Sequence, residues 1–339
     1  MVREFARVER AQILVGQILV GQVLVGQVLV QGAHQVAAGT LARDLVAGGS
    51  FCLILSDPKL AGCHRSMSSV FSGRYPIEHR AGEIERLRVQ GAAMAPDTRT
   101  MLERIGVGPG WHCLDIGCGP GGITDLLSER AGRAGRVVGL DMDEEFLQHA
   151  RQNAAADALT NVEFRRGDAY ACDLPAGSFD LVHMRFVAST AGDPERLIRE
   201  AMRLARVGGT VALQEPDAST LNCHPPHPAW DVLKAALIGA FAGVGADLTL
   251  ARRLEALARQ AGLVDLHARR FMLSVRAADD IVDYLPSTVE SLRGTVLRLG
   301  LMTDVELVDA LAACRKHLQD RGTTFTMYTV AQVWGRTPA

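Results

Sequence analysis

The sequence predicts an α/β protein, a mostly parallel sheet with crossover helices and a helical lid. Three observations predict it. From residue 111 onward short apolar runs alternate with amphipathic stretches, the pattern of parallel strands joined by helices. A glycine-rich turn, LDIGCGPGG at Leu114–Gly122, stands between the first of these runs and the helix after it. Near the end, helical stretches precede a final strand, which places a lid over a pocket at the carboxyl ends of the strands.

The elements follow in order. Residues 77–104 have helical spacing, with Ile84, Leu87 and Met94 apolar and Met101, Leu102 and Ile105 continuing the set. The first strand falls at 112–117 and a helix at 121–131. The second strand is Arg136–Asp141, followed by a helix at 143–156. The third strand is Val162–Arg166 and the fourth Phe179–Met184. A helix at 194–206 leads through Gly208-Gly209 to a fifth strand, Thr210–Gln214. Helices are then expected at 226–243 and 250–261, the second with Arg252, Arg253 and Arg259 on its polar face. A sixth strand lies within 263–275, helical stretches near 277–300 and 303–320, and the last strand is Phe325–Trp334. Four segments result: a low-complexity extension at 1–66, a helical cap at 67–110, the sheet core at 111–276, and the lid with the final strand at 277–339.

The extension carries a five-residue repeat, ILVGQ ILVGQ VLVGQ VLVQG at residues 13–32. No common solenoid has that period. Ile13–Val30 has the length of a membrane span, but a Gln in each repeat makes insertion costly. Glu4 and Glu9 spoil it as a signal peptide. Its uncharged Val, Ile and Leu make it β-prone and an aggregation hazard. A perfect short repeat is also what translated repetitive DNA yields, with the natural start at Met67.

Bulk properties exclude several classes. The chain is 48% hydrophobic and 22% charged with a net charge of −2, so nothing draws it generally to nucleic acid or an anionic membrane. Seven scattered cysteines (52, 63, 113, 118, 172, 223, 314) form no CxxC and no cluster with metal-ligand spacing, so no metal is expected. They fit a reducing, cytoplasmic compartment.

The chemistry is concentrated around the glycine turn, which lets a ligand approach the backbone. Asp115, two residues before Gly117, suits a ligand with an ammonium group better than a pyrophosphate. The stretch Asp115-Ile116-Gly117-Cys118-Gly119-Pro120-Gly121 resembles the first motif of the class I S-adenosylmethionine-dependent methyltransferases, an acidic residue followed by GxGxG. FDLVHMRFV at 179–187 and VGGTVALQEPD at 207–217 resemble that family's fourth- and fifth-strand motifs. The resemblance runs from about residue 77 to 275 and is nearest the small-molecule, ubiquinone/menaquinone-type branch. It implies a Rossmann-like seven-stranded sheet, antiparallel at its last strand, in the order 3-2-1-4-5-7-6. It also implies S-adenosyl-L-methionine as cofactor.

Asp141, about 20 residues after the loop, is placed to accept ribose hydroxyls; capping the next helix is the alternative. The resemblance gives Asp168 and Ala169 to the adenine, with an Asx-turn as the alternative for Asp168. Gly117, Cys118, Gly119 and Gly121 would approach the methionine part of the cofactor, with Met142 and Arg185 completing the set. Arg185 would orient a carboxylate, or face solvent at a strand end. Gln90 and Tyr75 precede the sheet and would touch the cofactor unless they belong to an amphipathic covering helix. In place of the family's His-Leu-Pro after the fourth strand the chain has Ala188-Ser189-Thr190-Ala191. The absence there of an Asn/Asp-Pro-Pro-Tyr/Phe tetrad disfavours DNA-base methylation.

A sulfonium methyl is already activated, so alignment supplies much of the rate. A base helps where the acceptor is a hydroxyl, an acidic carbon or a protonated amine. Glu215, His183 and His224 are the catalytic candidates, with Asp217 and His227 beside them. Each histidine has an ordinary structural reading as well. Tyr284, Met272 and Met302 would give a lid suited to a hydrophobic or aromatic small-molecule acceptor, with ordinary helix core as the alternative. No basic, aromatic-interleaved patch supports a nucleic-acid partner; no stable membrane association is expected, and a homodimer is compatible with the sequence. A non-catalytic binder of S-adenosylmethionine is one alternative. A nicotinamide-dependent oxidoreductase is another, disfavoured because Asp115 precedes glycines 117, 119, 121 and 122 rather than a GxGxxG.

Overall fold

The computed structural model describes residues 15–20, 23–28 and 82–339. The chain divides into two units, Met1–Arg65 and Ser66–Ala339. In the first, β1 (Val15–Val20) and β2 (Val23–Val28) pair antiparallel, with Val20 opposite Val23. Tyr75 lies outside the described residues.

The first described helix of the second unit is long, α1 (Glu83–Ile105). Pro96 lies inside it without breaking it. The helix stops at Gly106, whose φ of +82° few other residues adopt and whose N–H closes onto Leu102 and Glu103. There follow β3 (His112–Ile116), α2 (Ile123–Ala131), β4 (Arg136–Asp141), α3 (Glu144–Ala156) and β5 (Val162–Arg166). Then come β6 (Phe179–Arg185), α4 (Pro194–Leu204) and β7 (Ala205–Asp217).

The expected seven-stranded sheet is present. Its order is β5-β4-β3-β6-β7-β12-β9, where β9 is Val264–Phe271 and β12 is Thr329–Arg336. Counted from the strand before the glycine loop, that is 3-2-1-4-5-7-6. β12 runs antiparallel to both β7 and β9, while β3 to β7 are mutually parallel. One face buries Leu114, Val182, Met184, Val211 and Leu213 against Leu197 and Ile198 of α4. The opposite face buries Cys113, Leu181, Ala212 and Trp334 against Met101 and Leu102 of α1 and Leu127 of α2. These sets alternate along each strand, as a pleat covered on both faces requires.

Three differences from expectation have local causes. The fifth strand runs from Ala205, because the chain leaves α4 directly into β7 and takes up the slack in a register shift opposite Phe179–Leu181. The final strand is two strands: β11 (Thr324–Thr326) leaves the main sheet before β12. With β8 (Asn222–His224) and β10 (Ser274–Arg276), β11 makes a small antiparallel sheet in the order β10-β11-β8. The expected helix at 250–261 is a 3₁₀ turn, Leu250–Arg252, followed by α6 (Leu254–Ala261).

The lid is built from α5 (Pro228–Ala242), α7 (Tyr284–Ser291), α8 (Arg293–Arg298) and α9 (Asp304–Leu318). Its own core includes Trp230, Leu233, Leu285, Val289, Leu307 and Phe325. A capping box starts α9, Thr303 and Glu306 each satisfying the other's backbone N–H. Trp230 is 1% exposed and packs its ring 5.0 Å from Phe325 of the small sheet. Truncation to Trp230→Ala removes the contact that ties α5 to β11. The expected loss is about 3–5 kcal/mol of unfolding free energy, checked by urea denaturation; a loss below 1 kcal/mol would show that the lid is not held through this side chain.

Candidate active site

A cleft of about 1510 Å³ opens at the carboxyl ends of β3 to β6, walled by α1, α5, α7 and Tyr328. Its floor is the glycine loop. Gly117 has φ of +68°, and a Cβ there would lie 2.4 Å from Val187 Cγ2, so any other residue would strain the backbone and displace Val187. Gly119 (φ +54°) and Gly122 (φ +98°) have nothing within 4 Å of an added Cβ. The N–H groups of Gly117 and Cys118 donate to Leu140 O at 2.7 and 3.0 Å, fastening the loop to β4. The Cys118 thiol is buried, which pushes its pKa well up and leaves it unreactive.

The carboxylates predicted for the cofactor converge on this floor. Asp115, Asp141 and Asp168 all line the cleft, as do Met142, Ala169 and Arg185. Asp141 accepts from Gly119 N and Asp143 N, each at 2.9 Å. Each carboxylate oxygen keeps a further lone pair, so it can still receive ribose hydroxyls. The helix cap is Asp143 instead, accepting from Glu145 N and Phe146 N. Asp168 does form the Asx-turn, accepting from Tyr170 N at 2.8 Å, and lines the cleft as well. Burial raises the Asp141 pKa and outweighs its N–H donors.

The donor set tests what the floor can hold. Carboxylates around open glycine backbone would repel a pyrophosphate and attract an ammonium group, ribose hydroxyls and an adenine amine. That is the chemistry of S-adenosylmethionine, and the residues fit it.

The three catalytic candidates do not reach the cleft. His183 is fully buried; Nδ1 lies 2.7 Å from Asp115 Oδ1 and Nε2 lies 2.9 Å from Gln214 Nε2. Glu215 is fully buried and accepts from the N–H groups of Ala188 and Ser189 at 2.9 and 3.1 Å. His224 is exposed on β8. Of the neighbours, Asp217 pairs with Arg252 at 2.7 Å, and His227 caps α5 while stacking on His317. His224 belongs to the small sheet, away from the cleft; for the other two the pleat is the reason. Residues at the carboxyl end of a strand still alternate between its faces, and His183 and Glu215 point into the packed layers.

What reasoning from sequence missed is the opposite wall. Tyr328 sits where the chain passes from β11 to β12, its hydroxyl accepting from Gln90 Nε2 at 2.8 Å. Its ring meets Tyr284 at 5.6 Å and Phe186 at 5.7 Å. Gln90 is thus buried in the wall and lines the cleft. Arg86 grips Glu83 with two hydrogen bonds, at 2.7 and 2.8 Å. Phe186 has φ of +60°, uncommon for a bulky residue. Among the described residues no group of three His, Cys, Asp or Glu could hold a metal, and no helix is long and apolar enough to cross a membrane.

Comparison with known proteins agrees with this geometry. Residues 108–242 match the model of a methyltransferase domain. The chain is 35% identical over 208 residues to trans-aconitate 2-methyltransferase of Azoarcus sp., covering 59% of this chain and 74% of that one. It is 35% identical over 120 residues to demethylmenaquinone methyltransferase of Lactococcus lactis, covering 35% and 48%. It is 30% identical over 179 residues to an uncharacterized 37.1 kDa protein in transposon Tn4556 of Streptomyces fradiae, covering 52% and 51%. The chain spans about half the length of the last two. It belongs to the class I S-adenosylmethionine-dependent methyltransferases.

Glu215 gives a pH signature. Burial pushes its pKa from 4.5 up to about 7. As pH rises, the unfolded chain releases this proton near 4.5 and the folded chain holds it to about 7. Stability therefore falls across that window, by about 3 kcal/mol, and is flat above it. Unfolding free energies by urea from pH 4 to 8 should show this slope in the wild type but not in Glu215→Gln; equal slopes would mean that Glu215 is ionised throughout.

Proposed function

We propose that this chain transfers a methyl group from S-adenosylmethionine to oxygen, carbon or nitrogen of a small, largely apolar organic acceptor. The observation that carries the reading is the convergence of Asp115, Asp141 and Asp168 on one open glycine floor. Two relatives are named for methylating trans-aconitate and demethylmenaquinone, both small molecules, which supports an acceptor of that size. Apolar side chains on the lid side, Leu237, Phe241, Val244 and Leu248 among them, line the remaining cleft and favour a hydrophobic or aromatic body. Five described cysteines are free and buried, which supports a cytoplasmic setting.

When bound, the cofactor supplies an activated methyl on a positively charged sulfur. The chain's part is to hold and orient. Asp115 would meet the ammonium group, Asp141 the ribose hydroxyls, and Asp168 with the Ala169 backbone the adenine. α1 and the lid helices would exclude water around the acceptor, so that positioning supplies most of the rate.

Calorimetric titration of S-adenosylhomocysteine into the full chain, beside Asp141→Ala, tests the reading. Wild type should bind, and the variant should bind at least about tenfold more weakly with its fold intact by circular dichroism. Binding of NADH in place of S-adenosylhomocysteine would overturn the reading. A protein that binds the nucleoside yet methylates nothing across a broad acceptor panel would be a sensor instead.

A further inference from the structure

The two halves of the cleft carry opposite charge. β3 and the loops and helices that follow β3, β4 and β5 contribute Asp115, Asp125, Asp141, Asp143, Asp157 and Asp168. The other walls contribute Arg86, Arg88, Arg185, Arg196, Tyr284 and Tyr328, against one carboxylate, Asp193. Asp193 caps α4 through Arg196 N at 3.0 Å. Three of the arginines are engaged: Arg86 with Glu83, Arg88 with Glu85, and Arg196 4.8 Å from the Tyr170 ring.

Arg185 is different. It ends β6, is half-buried, and has no ion pair or hydrogen bond among the described residues. Its guanidinium stands 5.8 Å from the Phe186 ring, a weak substitute for an anion. On its other side is Gly91 of α1, where an added Cβ would lie 3.5 Å from Nη2. An arginine cannot shed its charge; Asp115 acts on it from beyond ion-pair distance, so removal from water calls for a closer counter-anion.

Among the described residues the same half of the cleft offers one carboxylate as a proton acceptor, Asp193. His183 is tied to Asp115 and Gln214, Glu215 to two backbone N–H groups, and Asp193 to its helix. A neutral alcohol or phenol would depend on that helix-capping carboxylate to take its proton.

Resting on the methyltransferase reading, we propose that Arg185, expected from the sequence to complete the cofactor set, instead receives an anionic oxygen of the acceptor, an apolar molecule bearing a carboxylate or a comparably acidic enol. The planar guanidinium matches such an oxygen pair with two parallel donors. Phe186, Phe241 and Tyr284 line the space for the apolar body. An oxygen that arrives ionised needs no base. Its lone pair forms the new O–CH₃ bond, the methyl–sulfur bond breaks with its pair going to sulfur, and no proton is released. The other source of a carboxylate in this cleft is the amino-acid end of the cofactor, and the test separates the two.

The full chain, saturated with S-adenosylhomocysteine, is titrated calorimetrically with cinnamate and octanoate and with their primary amides. At least one acid should bind tenfold or more tightly than its amide. In Arg185→Gln that preference should vanish while S-adenosylhomocysteine affinity stays within threefold of wild type. Acids binding no better than amides to the wild type would overturn the proposal, as would a preference that survives in the variant. A tenfold loss of S-adenosylhomocysteine affinity without any acid preference in the wild type would assign the arginine to the cofactor and also overturn it. Should Arg185→Gln not fold, Arg185→Lys serves: the preference should drop to about threefold as the fork is lost, and an unchanged preference would refute the assignment. Failure of the wild type to bind S-adenosylhomocysteine at all would instead refute the methyltransferase reading.

Discussion

A carboxylate set into a packed sheet must have its hydrogen bonds assigned, and in this protein the assignment begins far away, at Arg269. Arginine can only donate. Arg269 on β9 donates to Gln332 Oε1 at 2.9 Å and also binds the Asp97 carboxylate. The Gln332 amide therefore turns its nitrogen toward Gln214 Oε1, at 2.8 Å, and toward Asp97 O, at 3.0 Å. Gln214 in turn presents its nitrogen to His183 Nε2, which leaves Nδ1 of His183 to donate to Asp115. One all-donor group thus fixes two amide flips, a histidine tautomer and the environment of the carboxylate on the cleft floor. The chain crosses five neighbouring strands, β9, β12, β7, β6 and β3. Three of its members, His183, Gln214 and Gln332, have 0% exposure, so each depends on its neighbours for partners.

The pleat explains why the chain runs straight. Cys113, Leu181, Ala212 and Trp334 form an apolar row on the α1 face. Two residues on, toward the carboxyl ends of the parallel strands, the same face carries Asp115, His183, Gln214 and, on antiparallel β12, Gln332. α1 follows the same division. Met101 and Leu102 pack on the apolar row, and one turn earlier Thr98 donates to Gln214 Oε1 at 3.2 Å while Asp97 binds Arg269. The residues of α1 that wall the cleft are the next turns back, from Ala95 to Ile84. The polar row therefore sets both the floor carboxylate and the helix that faces it across the cleft.

This arrangement shows which parts of the site were legible in the sequence. The cofactor half rests on local rules: a strand, glycines at positive φ, and an acid at the end of the next strand. The spacing of Asp115, Gly117, Gly119 and Asp141 reveals those directly. His183, Glu215 and His224 look like bases because they are titratable and stand at or after strand ends. Which way each points is decided by register between strands far apart in sequence, as in the pairing of Asp115 with His183 across 68 residues. The acceptor half is less legible still. Tyr328 reaches the cleft because β11 and β12 belong to different sheets, and an apolar run of that length reads as one strand.

The turn after β6 joins the two halves. Arg185 pairs in register with Gln214, a member of the polar row. Phe186 N donates to Gln214 O at 2.9 Å, holding the backbone at its positive φ. That bend turns the Phe186 ring toward Tyr328 and delivers the chain to residues 187–189, where Val187 closes on Gly117 and Glu215 gathers the next two N–H groups. Buried Glu215 is then best understood as the anchor of this turn. A strained residue is tolerated where the surroundings over-determine it, and here the polar row, the glycine loop and a buried carboxyl all constrain the same few residues. The consequence is that the glycine floor and the arginine facing it are positioned by one rigid piece of backbone, so a shift at Phe186 would disturb the cofactor and acceptor halves together.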